Sequence, residues 1–159
     1  MKKTIVVEQE KCTGCKLCEL ACSFEQTGCF NPSASRMKVE LFEREFFYLP
    51  VTCQQCDDPY CAKVCPSHAI NINTQTGATE IDYNRCIGCR MCLTVCPFGG
   101  MDYSPAEAKV VKCDLCGGEP VCINSCPWDA LEYTEAQQIA GKKRQQIAAK
   151  MKATIKEVG

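Results

Sequence analysis

Sixteen of the seventeen cysteines in this 159-residue chain fall into four tight quartets. They are Cys12, Cys15, Cys18 and Cys22; Cys53, Cys56, Cys61 and Cys65; Cys86, Cys89, Cys92 and Cys96; and Cys113, Cys116, Cys122 and Cys126. The first and third keep a C-x2-C-x2-C-x3-C run, the other two widen one spacer, and three quartets end in Cys-Pro (Cys65-Pro66, Cys96-Pro97, Cys126-Pro127). Three closely spaced thiolates can hold three irons of a cubane cluster. A fourth, carried off by the proline turn, reaches a second cluster. Four such quartets predict four 4Fe–4S clusters.

Two other uses of clustered cysteine fit less well. Tetrahedral zinc needs two C-x-x-C knuckles set apart, with no third cysteine two residues on and no fourth before proline. A disulfide scaffold is opposed by the odd count, the repeating spacings and the absence of a visible secretory signal. Free thiolates persist in a reducing compartment, so the expected location is the cytoplasm. No apolar stretch is long enough for a membrane span.

The formal net charge of −1 counts cysteines as neutral thiols. A 2+ cubane on four thiolates carries about −2, so four would bring the protein to roughly −9. Charge is also segregated: residues 1–133 hold 17 acidic and 12 basic side chains, residues 134–159 hold 2 and 6. No aromatic-interleaved basic surface accompanies the tail, which argues against nucleic acid as a partner.

The elements that must position the quartets are short. Ala69–Asn73 alternates apolar and polar, turns at Thr74–Gly77 and returns through Thr79–Asp82, which predicts a hairpin. Arg36–Phe42 and Phe46–Leu49 read as two strands around Glu43–Glu45, their aromatics serving core or interface packing. Met101–Ser104 and Lys109–Lys112 predict another hairpin, turning at Pro105. Glu132-Tyr133 is expected to pair with Ile5–Val7, joining the first and fourth quartets and leaving the second and third as the other pair. Met91–Cys96 reads as a helical turn bearing a ligand at each end.

From Thr134 the composition shifts to Ala, Gln, Lys and Ile. Thr134 with Gln137 forms a capping-box pattern, and Ala136, Ala140, Ile147, Met151, Ile155 and Val158 share roughly one helical face. The helix either folds back on its own body or reaches a partner. The expected fold is α+β: a polyferredoxin body over residues 1–133 and a basic amphipathic helix over 134–159.

Several single residues need a reading of their own. Gly14 and Gly88, inside the first C-x-x-C of their quartets, let backbone N–H groups turn toward cluster sulfides. Ser23 replaces proline after Cys22, which sets that ligand apart from the other fourth cysteines. Cys29 has no partner at ligand spacing and reads as a free thiol. His68, the one histidine, reads as a surface or packing residue, and Trp128 as a hydrophobic cover over a cluster.

With Cys53–Cys61, Arg85–Cys92 and Lys112–Pro120 in view, residues 5–133 resemble the four-cluster iron–sulfur subunits that serve molybdenum and tungsten pterin oxidoreductases. Cys18-Glu19-Leu20-Ala21-Cys22-Ser23-Phe24, followed by Phe30-Asn31-Pro32-Ser33, is most similar to the small subunits of tungsten-dependent aldehyde oxidoreductases. The resemblance implies two ferredoxin-like dicluster halves, with clusters shared between quartets one and four and between two and three. Cluster one would take Cys12, Cys15, Cys18 and Cys126; cluster two Cys113, Cys116, Cys122 and Cys22. Cluster three would take Cys53, Cys56, Cys61 and Cys96; cluster four Cys86, Cys89, Cys92 and Cys65. It also implies a line of four from a catalytic pterin subunit to an acceptor, with a flavin-containing subunit as a further candidate partner.

A non-catalytic electron-transfer subunit is therefore expected. Every quartet has its full ligand count, so no iron is left open for substrate, and no nucleotide fingerprint, flavin motif or Ser/His/Asp grouping is present. The alternatives are a diffusible polyferredoxin, or the iron–sulfur subunit of a formate dehydrogenase or hydrogenase complex. Self-association through the C-terminal helix is a further expectation.

Overall fold

Among the described residues the strands pair only two by two, in four separate sheets. The computed structural model describes residues 2–105 and 107–158. Strand β1 (Lys3–Val7) pairs antiparallel with the last strand, Leu131–Glu135, with Ile5 opposite Tyr133 as the sequence leads one to expect. Strands β2 (Lys38–Phe42) and β3 (Phe47–Val51) form a hairpin about a one-turn 3-10 segment, Glu43–Glu45. The hairpins β4 (Ile70–Ile72) with β5 (Thr79–Ile81) and β6 (Met101–Ser104) with β7 (Lys109–Lys112) also form where alternation predicts them. The Leu131–Glu135 strand is β8.

Four short helices carry the ends of the quartets: α1 (Leu17–Thr27), α2 (Tyr60–Lys63), α3 (Met91–Val95) and α4 (Val121–Asn124). Helix α1 packs on α4 and α2 on α3, so quartets one and four share one half and two and three the other. The apolar packing is thin. In the first half Ile5, Met37, Val39, Leu115 and Leu131 close around Cys18, Cys22, Cys113 and Cys122. In the second, Ile70, Met101 and Val110 close around Cys61, Cys65, Cys92 and Cys96. The cysteines are themselves much of the core.

Helix α5 (Ala136–Val158) springs directly from β8. The capping box is not formed, because Thr134 belongs to the strand: it pairs with Thr4, is buried, and its hydroxyl lies 3.5 Å from Gln138 Oε1. The backbone N–H of Ala136 continues the ladder to Lys2 O at 3.1 Å. The expected apolar stripe is shifted as well. Ile139, with Lys142, Lys143 and Ile147, borders a groove against Val6 and Val7 of β1, while Ala140 and Met151 are exposed. The side chains of Ile155 and Val158 lie outside the described residues. Among the described residues, no helix is long and apolar enough to cross a membrane.

Candidate metal centre

Each C-x-x-C turn is set by a left-handed residue at its third position. Gly14 and Gly88 have φ of 70° and 71°, and Gln55 and Leu115 take the same region at 50° and 60° without being glycine. The strain of placing an L-residue there, about 1–2 kcal/mol, is offset by burial: Gln55 is 2% and Leu115 0% exposed. At Gly14 close approach adds to the requirement, since a Cβ would meet the Tyr48 ring at 2.7 Å. A second left-handed position follows each Cys-Pro, three residues after the cysteine, at His68, Gly99 and Asp129. His68 is thus an exposed turn residue.

The fourth cysteines lie with other quartets. Cys126 lines a small cavity with Cys12, Cys15 and Cys18, under Trp128 and against Val39 and Pro50. Cys65 lines a second with Cys86, Cys89 and Cys92. The thiol of Cys61 is raised by burial and by Cys53 and Cys96, and that of Cys56 by burial and then the same two neighbours. Burial pushes Cys122 up, helped by Cys113, Cys22 and Cys116. Four groups of four result, each made of three cysteines from one quartet and one from another.

The cysteines that raise one another's thiols link the groups in turn. Cys122 feels Cys18; Cys113, pushed by burial to about 11, feels Cys53; Cys92, raised chiefly by burial, feels Cys61. The Cys12 and Cys86 groups are thus the ends of the file. Each end has an exposed cysteine, Cys15 at one and Cys89 at the other. Burial pushes Cys18 to about 12, against a backbone hydrogen bond that lowers it.

Backbone N–H groups point at sulfur where a cluster ligand would need charge stabilisation. Ala69 N donates to Cys65 Sγ and Ala130 N to Cys126 Sγ, both at 3.3 Å and four residues on, a repeat imposed by the proline turn. The Cys65 thiol is held below its ordinary value: burial opposes, but Ser67 and the backbone of Ala69, Ser67 and Ile70 outweigh it. Cys22 receives its backbone N–H by another route. Without proline, α1 runs on to Thr27, and the N–H to Cys22 Sγ comes from Arg36, also at 3.3 Å. The Arg36 guanidinium is fixed by Asp114 at 2.8 Å, and Asp114 accepts from Cys116 N at 3.0 Å. Ser23 is fully buried, donating to Leu20 O and accepting from Asn31 N, which ties down the returning loop.

Thiol donors, inward N–H groups and shared cavities fit iron–sulfur clusters. The hard oxygen ligands that calcium or magnesium prefer do not line these cavities. Cys29 is exposed and apart from all four groups, beside Thr27. Trp128 borders its cavity yet is 56% exposed, so it covers one side and offers the other to solvent. The aromatics Phe42, Phe46 and Phe47 of the β2–β3 hairpin are exposed and lie outside the core, whereas Tyr48 packs against it.

Sequence reasoning missed Arg36, Asp114, Gln55 and Lys112. Lys112 alone had a legible signal: the period of two in Lys109-Val110-Val111-Lys112 puts it on the face of Val110, which is 1% exposed.

The chain matches the 4Fe-4S dicluster domain over residues 44–136 and a 4Fe-4S binding domain over 9–25. It belongs to the 4Fe-4S dicluster domain family. It is 43% identical over 116 residues to the polyferredoxin-like subunit of aliphatic sulfonate oxidoreductase of Pyrococcus furiosus, a match spanning 72% of this chain and 65% of that one. To the B subunit of anaerobic dimethyl sulfoxide reductase of Escherichia coli it is 34% identical, over 69% of this chain and 59% of that one. The putative electron transport protein YsaA of Escherichia coli is 36% identical, over 73% and 77%. The match thus spans less than two thirds of the length of two of these relatives. The active-site complex BamBC of benzoyl coenzyme A reductase shares the fold, with a TM-score of 0.50 at 23% identity over 92% of this chain and 89% of that one.

Proposed function

We propose that this chain is a non-catalytic subunit that relays electrons through four 4Fe–4S clusters between a molybdenum or tungsten pterin oxidoreductase subunit and a redox partner. The observation that carries this reading is the pair of cavities in which Cys126 and Cys65 each meet three cysteines of another quartet. A bound 4Fe–4S cluster supplies a site that accepts and gives up one electron. The chain's own residues hold and tune those sites.

The first cluster is assigned to Cys12, Cys15, Cys18 and Cys126, and the second to Cys22, Cys113, Cys116 and Cys122. The third is assigned to Cys53, Cys56, Cys61 and Cys96, and the fourth to Cys65, Cys86, Cys89 and Cys92. Backbone N–H groups on Cys22, Cys65 and Cys126 favour the charged sulfur and help retain it. Ile87, 67% exposed, borders the fourth site as Trp128 borders the first, so each end presents an apolar surface suited to a partner.

The subunit role draws on two relatives, one named a polyferredoxin-like subunit and the other the B subunit of a reductase. A tungsten-dependent, aldehyde-oxidising partner rests on the Cys18–Phe24 and Phe30–Ser33 stretches alone. The need for reduced thiols favours the cytoplasm. We divide the chain into a cluster-bearing body and a C-terminal helix that contacts a partner or a second copy.

Anoxically purified protein should carry about sixteen irons and about sixteen acid-labile sulfides per chain. Dithionite should give a broadened EPR signal of interacting clusters. Zinc near stoichiometry with little iron would overturn the reading.

A further inference from the structure

Between the two halves sits a lysine cut off from water. Lys112 is 3% exposed, and its Nζ donates to Thr79 O and, at 2.8 Å, to Cys113 O. Gln55, 2% exposed, joins the same two residues: its Nε2 donates to Cys113 O at 3.0 Å, and its Oε1 accepts from Thr79 N at 2.8 Å. The node thus ties a C-x-x-C turn of quartet two to the first cysteine of quartet four. This is also where the file crosses from one half to the other, Cys113 beside Cys53.

An ammonium buried without a counter-charge is expensive. Among the described residues no carboxylate lies within ion-pair distance of Lys112. Its only polar partners among them are backbone carbonyls, which supply dipoles but no net charge. Both Cys61 and Cys113 lie in its field. A bound cluster on either side, at about −2 with its thiolates, would provide the missing counter-charge.

We propose that Lys112 is a fixed positive charge that raises the electron affinity of the two inner cluster sites, the Cys113 group and the Cys53 group, above that of the two outer ones. This rests on the four-cluster reading above. Reduction adds one negative charge to a site, and a nearby cation in a low-dielectric seam stabilises that added charge more than the oxidised form. An electron is then held preferentially at the crossing between the halves. Gln55 is a positioning residue that fixes the carbonyls to which the ammonium binds.

Lys112→Met removes the charge at similar volume. Anoxic potentiometric titration, followed by EPR and visible absorbance, should show two of the four midpoints falling by about tenfold or more in the reduction equilibrium (about 59 mV for one electron). The other two should hold still. Gln55→Glu, which sets a carboxylate within reach of the ammonium, should lower the same two; Lys112→Arg, which keeps the charge, should lower neither. Four unmoved midpoints, or four shifted equally, would overturn the assignment of Lys112. Loss of iron from both Lys112→Met and Gln55→Glu would also overturn it, by making the node purely structural. Wild-type protein without four clusters would instead overturn the reading on which it rests, and the iron count tells the two failures apart.

Discussion

At the scale of single residues, left-handed backbone positions recur beside the proposed cluster ligands. Seven are equivalent in this way, four inside C-x-x-C turns and three after Cys-Pro, yet glycine fills only Gly14, Gly88 and Gly99. His68 is exposed and pays its strain without packing in return, so His68→Gly should stabilise the protein by about 0.5–1 kcal/mol, read as slower loss of cluster absorbance in denaturant with iron content unchanged. Gly100 is the opposite case. A Cβ there would lie 2.6 Å from Cys53 Cα, a backbone atom that cannot step aside. Gly100→Ala should cost about 1–3 kcal/mol and loosen the Cys53 site first, measurable as loss of iron. Thiol protonation gives a third expectation. Burial raises Cys18 to about 12 and Cys113 to about 11, so each must lose a proton when it becomes a ligand. Protons compete with metal, and cluster retention should weaken as pH falls and strengthen as it rises. Proton release on anoxic reconstitution, measured against pH, checks the sign.

At the scale of elements, a buried carboxylate joins α1 to β2: Glu19, 4% exposed, accepts from Val39 N. Glu19→Ala would strand that N–H at a cost of about 1–3 kcal/mol, whereas Glu19→Gln keeps an acceptor and should lose much less; thermal loss of absorbance separates the two. The exchange of fourth ligands has its own test. Cys96→Ala should damage the site of Cys53, Cys56 and Cys61, and an intact site there beside a damaged Cys86 site would reverse the assignment. The hairpins were legible because alternation and turn residues coincide, as in Ile70–Ile72 and Thr79–Ile81. The pairing of β1 with β8 was legible because the two apolar segments flank the first and last quartets. The start of α5 was not. Thr134 and Gln137 have the right types for a cap, but tertiary pairing of Thr134 with Thr4 wins over local capping. The Arg36–Asp114 link, 78 residues apart in sequence, left no local pattern to read.

At the scale of the molecule, charge is divided between an acidic body and a basic helix. Beyond Lys142, which pairs with Glu132, every described side chain from Lys143 to Met151 is exposed. A truncation should begin at Ala136, because β8 runs through Glu135. Such a chain should keep its visible spectrum while forming a lighter complex or binding its catalytic partner less tightly. In the intact protein that association should weaken as salt is raised. Iron loss on truncation would show instead that α5 covers the clusters of its own body.

The pairing of the first strand with the last also dictates an order of synthesis. The cysteines grouped from Cys53 to Cys96 are contiguous, so both of their sites can close while the C-terminal third is still being translated. The Cys12 group waits for Cys126, and its frame waits for β8, more than a hundred residues after Cys12 has left the ribosome. Through that interval Cys12, Cys15 and Cys18 stand as an open, thiol-rich segment exposed to oxidants and stray metals. Maturation in air should therefore fail first at the end of the file that is made earliest.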